Sequence, residues 1–145
     1  ISWEFDDNRY GHVDWLSNMR LDTLAVPKTW HKEKNFKIIR ELEYDEKDSL
    51  ITKDVNRMAF DFPRKSGKIL AKYANNVFHI ETSCIKSFAI NISPEMVDTH
   101  KKVRIYVNGK LRFDKHIGYD TAFMLKNFDI NQDRIQVWIN QIDIR

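Results

Sequence analysis

One cysteine, four glycines and three prolines are all that 145 residues hold of those types, and no apolar run nears the roughly 20 residues a membrane helix needs. A single cysteine, Cys84, excludes an internal disulfide and a thiolate metal cluster. Set in the strand-like run SCIKS, it reads as small apolar filler rather than as a nucleophile. So little Gly and Pro leaves no flexible linker, and no repeat or low-complexity tract divides the chain. A single domain spanning residues 1–145 is expected, long enough to hide about 68–70% of its unfolded surface. The glycines lie too far apart to cradle a phosphate, and neither GxGxxG nor GxxxxGK[ST] occurs. No GxSxG elbow holds a serine in the strained turn that nucleophilic attack requires. The chain opens at Ile1 without Met and without a basic, apolar and small-residue secretion pattern, and so reads as a piece of a longer polypeptide.

Twenty-four Lys and Arg stand against 21 Asp and Glu, a net +3, and the two signs mix along the chain. That is a weak footprint for nucleic acid, and neither nucleic acid nor a membrane is an expected partner. The histidines His12, His31, His79, His100 and His116 are scattered, with no HxH, HExxH or Cys-His spacing, so no metal and no cofactor is expected. His79 in VFHIET points away from the face of Phe78 and Ile80 and reads as a strand histidine that is solvated or bonded to backbone. Carboxylates are plentiful at Asp6, Asp7 and in ELEYDEKD, yet a mixed charge run reads first as a solvated face rather than as an acid/base pair.

The positive signals are strand signals. VRIYV alternates Val103 and Ile105 against Arg104 and Tyr106, and LRF follows after Asn108-Gly109. A two-residue turn would set Ile105 against Arg112; a three-residue loop, Val107 to Gly109 with Gly109 left-handed, would pair Ile105 with Leu111 and Val103 with Phe113. The bulged loop is the expectation. KILAKYANNVFHIET reads as two strands around Asn75-Asn76, and FAINIS places Phe88, Ile90 and Ile92 on one face before Pro94. YDTAFMLKNF is a short helix capped by Asp120, with Met124, Leu125 and Phe128 as its apolar stripe. RIQVWINQIDI closes the chain as a strand with a bulge or bend near Asn140 and Gln141, where its apolar parity changes. In the first half, strands are expected at His12 to Leu16, in NFKIIRELEYDE and in RMAFDF, with a polar connection KTWHKEK between the first two. Many short strands and one short helix before the last strand predict a mostly β fold, an antiparallel sandwich of immunoglobulin or jelly-roll kind.

Among the aromatics, Trp15 and Trp138 in strand-like runs read as core or interface, whereas Trp30 in a polar loop, with Tyr44, is the candidate platform for a sugar or a peptide. SPEMVDTHKKVRIYVNGKLRF, between IETSCIKSFAINI and YDTAFMLKNFDINQDRIQVWINQIDI, resembles the C-terminal β-sandwich domain of secreted bacterial α/β-hydrolase esterases and peptidases of the prolyl oligopeptidase and dienelactone hydrolase type. The carriers are Met96, Val97, Asp98, Lys102, Val103, Val107, Asn108, Gly109 and Lys110, then the helix, then Asp133 before the last strand. WEFDDNRYGHVDWL is similar to the segment that enters that tail, through Trp3, Tyr10, Gly11, Trp15 and Leu16. The likeness is best over residues 66–145, and residues 20–62 depart from it as an inserted hairpin. It implies a non-catalytic accessory domain of a periplasmic or secreted serine hydrolase, with the preceding hydrolase domain of the same chain as partner and no catalytic residue here. On that reading Asn108 and Gly109 make a turn, Asp98 caps or bonds the connection into the hairpin, and Trp3 and Trp15 pack in the core or against the hydrolase. The rival expectation is a carbohydrate- or peptide-binding module working through its loop aromatics, and a third is a free-standing enzyme with an unusual carboxylate or histidine site.

Overall fold

A computed structural model describes residues 1–32, 37–58, 65–131 and 136–145. The chain divides into two compact units, Ile1–Lys28 with Ser66–Arg145, and Thr29–Lys65.

The larger unit is a β-sandwich. Its strands are β1 (Ser2–Phe5), β2 (Leu16–Leu21), β5 (Gly67–Ala74), β6 (Val77–Ser83), β7 (Ile85–Ile92), β8 (Lys102–Val107), β9 (Lys110–His116) and β10 (Asn140–Ile144), with one helix, α1 (Thr121–Asn131), before the last. Five strands form one sheet in the order β1-β5-β6-β8-β9, and three form another in the order β10-β7-β2. Neighbours are antiparallel except β6 and β8, which run parallel because β7 carries the chain through the other sheet between them. The corner between β6 and β7 is the single residue Cys84, left-handed at φ 57°. It is therefore a half-buried corner rather than part of a strand.

Alternation explains which side chains meet between the sheets. Ile69, Phe78, Ile80 and Ile105 from the first sheet and Leu16, Phe88, Ile90 and Ile92 from the second are at most 4% exposed and share one cluster. Each such side chain contributes about 1.5–3 kcal/mol by leaving water. The expected face of Phe88, Ile90 and Ile92 is the core face of β7. Asn75 and Asn76, both at positive φ (51° and 63°), make the two-residue link between β5 and β6.

Several local expectations change. The turn after VRIYV has two residues, not three: Asn108 (φ 53°) and Gly109 (φ 80°) are both left-handed, and Val107 pairs with Lys110. A bulge lies in β9 instead, where Tyr106 faces Leu111 but Ile105 faces Phe113. Arg112 is the extra residue, so the apolar pair is restored on the core side while Leu111 stays exposed. The segment at 12–16 is a tight turn, with reciprocal 2.9 Å bonds between Val13 and Leu16 and Asp14 at φ 50°, so the strand starts at Leu16. Asp120 caps α1 by accepting from the Phe123 amide at 3.0 Å. Of the expected stripe only Met124 packs on the core, whereas Leu125 (68%) and Phe128 (47%) are exposed. β10 pairs with β7 without a bulge, and the parity change falls at its start, where buried Ile139 precedes Asn140.

The smaller unit is an antiparallel ribbon of β3 (Lys37–Tyr44) and β4 (Leu50–Met58). Asp45 builds its loop, accepting from the amides of Lys47 and Ser49 at 2.9 Å each. Of RMAFDF, Arg57 and Met58 end β4 and the rest lies outside the described residues.

Candidate functional site

The polar residues singled out by motif hold loops together. The Asn76 amide receives the Asp98 N–H at 2.8 Å and donates to the Asp98 carbonyl at 2.7 Å, tying the β5–β6 turn to the loop that enters β8. The Asp98 carboxylate in turn accepts from the His100 amide at 2.9 Å. Asn108 does more than turn the chain: its side chain accepts from the Thr82 N–H at 2.9 Å and donates to the Thr82 hydroxyl at 3.0 Å. Asp7 caps the 3-10 turn Asn8–Tyr10, and its carboxylate, bonded by the Arg9 side chain and amide, is held below the usual carboxylate range. The same pairing raises the Arg9 guanidinium.

Trp15 is buried, with its ring edge-on to Tyr73 and Phe78, each 5.5 Å away between centroids. Trp3 is half-buried against the core and donates from its indole N–H to the Tyr10 carbonyl at 2.9 Å. Trp138 is half-buried on the same core. Trp30, in the smaller unit, is half-buried with His31 as its ring neighbour at 6.4 Å. Tyr44, at the end of β3, is 69% exposed. Asp133 lies outside the described residues. Gly11 has a backbone reason to be glycine, because a Cβ there would lie 2.3 Å from the Met19 carbonyl oxygen.

The outer face of the five-stranded sheet carries a row that the linear sequence hides. Register sets Lys72 opposite His79, His79 beside Tyr106, and Tyr106 opposite Leu111, across four strands. The His79 and Tyr106 rings stack at 5.4 Å and 11°. Rings stacked on adjacent strands stand up from the sheet, so they offer polar edges to solvent rather than a flat platform. An open depression of about 580 Å³, lined by Leu70, Lys72, His79 and Glu81 among others, lies beside the row. His79 is exposed, as its strand parity requires. Among the described residues, no group of three or more His, Cys, Asp or Glu could hold a metal ion, and no helix is long and apolar enough to cross a membrane. Nothing could have flagged the row in advance, because strand order and the parallel pairing create it.

Compared with models of known families, with curated proteins and with solved structures, the chain matches none.

Proposed function

We propose that this chain is a non-catalytic accessory β-sandwich of a larger secreted or periplasmic serine hydrolase, packing on its catalytic domain or positioning substrate for it. The observation that carries the reading is α1, on which Leu125 and Phe128, one turn apart, are 68% and 47% exposed while Met124 alone of the stripe turns to the core. An apolar pair left in water on a capped helix supports a docking role for that helix. The motif residues fit the same reading, since Asn76, Asp98 and Asn108 spend their side-chain bonds on loops.

Hydrogen exchange tests it, measured on the α1 amides in this chain alone and in the full-length hydrolase. Slower exchange in the full-length protein, reversed by Leu125→Ser with Phe128→Ser, is expected. Equal exchange in both would remove the docking role.

A polymer-binding module is the second reading, favoured by the exposed Leu42, Tyr44 and Leu50, which register places on one face of the ribbon. Retention on an insoluble neutral polysaccharide, lost on Tyr44→Ala or Trp30→Ala, supports it; no retention sinks it.

A further inference from the structure

Charge mixed along the whole chain is not mixed along one hairpin. Segment 101–116 holds six basic residues, Lys101, Lys102, Arg104, Lys110, Arg112 and Lys115, against one acid, Asp114. That is a surplus of five in a chain whose total is +3, so everything else carries a net −2. The fold places this segment as β8 and the edge strand β9, along which every residue but Phe113 is exposed. His116 pairs with Lys102, and Lys72 lies in the His79–Tyr106 row on the same outer face. Arg104 meets Asp114 at 3.6 Å, and Arg112 donates to the Arg145 main-chain oxygen. Among the described residues no ion pair engages Lys72, Lys102, Lys110 or Lys115.

Lysines on an edge strand are ordinarily a guard against edge-to-edge pairing. Lys72, Lys102 and Arg104 lie on the sheet face, where that guard has no use. We infer that this basic face and edge bind an extended anionic polysaccharide, one bearing uronate carboxylates or sulfates. The geometry disfavours the other polyanions. Single-stranded nucleic acid wants free ring faces for its bases, and here His79 and Tyr106 cover one another and are flanked by Lys72 and Leu111. An acidic peptide adding as a strand wants a regular edge, and the bulge at Arg112 interrupts it. A lipid surface wants apolar side chains beside the charge, and on this hairpin Leu111 is the exposed one. What remains is charge with the polar edges of His79 and Tyr106 to meet carboxylates and hydroxyls. This surface goes beyond the ribbon of the second reading: it sits on the sandwich and works by charge.

The test is retention of the chain on immobilised polygalacturonate and on heparin, eluted with salt, beside a neutral polysaccharide, duplex DNA and phosphatidylserine vesicles. Retention by one or both anionic polysaccharides, stronger than by DNA or vesicles, is expected, and which of the two holds better separates carboxylate from sulfate recognition. Lys72→Gln with Lys102→Gln and Arg104→Gln, all three on the outer face, is expected to lower affinity at least about tenfold and to flatten the salt dependence. Arg40→Gln with Lys47→Gln and Lys53→Gln, an equal charge change on the ribbon, is expected to alter it less than about twofold. Unchanged melting of both variants keeps the comparison free of misfolding. No retention on either anionic polysaccharide, equal loss in both variants, or preference for DNA or vesicles would overturn the inference. Failure here with neutral-polysaccharide retention through Tyr44 intact would leave the ribbon reading standing.

Discussion

Apolar strand residues end in opposite states in the two units. In β7, Phe88, Ile90 and Ile92 are at most 4% exposed; in β3 and β4, Ile39, Leu42, Tyr44, Leu50 and Ile51 are 43–69% exposed. A two-stranded ribbon has no second layer of its own to bury an apolar face, whereas the sandwich closes two sheets over one core. Alternation therefore names a face, and only a covering layer decides whether that face becomes core or available surface.

The largest contrast to test is truncation. Phe78→Ala is expected to cost about 3–5 kcal/mol in urea unfolding, and Leu42→Ala no more than about 0.5 kcal/mol. A Leu42 loss as large as that of Phe78 would break the comparison. Gly11→Ala, which drives a methyl against the Met19 oxygen, is expected to cost about 1–3 kcal/mol in the same experiment. Asn108→Gly keeps the left-handed turn but deletes the Thr82 clamp and should cost about 1–2 kcal/mol, less than Asn108→Ala, which also strains the turn. The smallest effect is at Asp7, exposed on the sandwich surface. Its pKa is depressed in the folded state, so its contribution is present above the unfolded carboxylate value and is lost as pH falls through the folded one. The melting difference between wild type and Asp7→Asn should be small, shrink on acidification through that window, and shrink again in high salt.

Much of the fold was legible because the strands of the second half alternate cleanly: Phe88 to Ile92, Val103 to Val107, and the Asn75-Asn76 turn all sit where pattern and turn chemistry place them. The hairpin loop departs from its apolar pattern for a physical reason. Apolar pairing alone points to a three-residue loop, but Asn-Gly takes the two-residue turn by itself and β9 corrects its parity later, at Arg112. The apolar stripe of α1 misled because Leu125 and Phe128 have the spacing of a buried face without a covering layer. The site was least legible. Trp30 and Tyr44 stand out in the sequence as aromatics in polar surroundings, while the His79–Tyr106 stack depends on a parallel pairing of residues 27 positions apart. The basic segment 101–116 was in plain view, but averaging charge over the whole chain hid it.

The claim beneath both readings is that the chain presents surfaces and performs no chemistry of its own. Hydrolysis of p-nitrophenyl acetate by the purified chain tests it most directly. Turnover no faster than free imidazole at the same histidine concentration is the expected result. Saturable turnover above that background, abolished by one histidine or serine substitution that leaves melting unchanged, would contradict it.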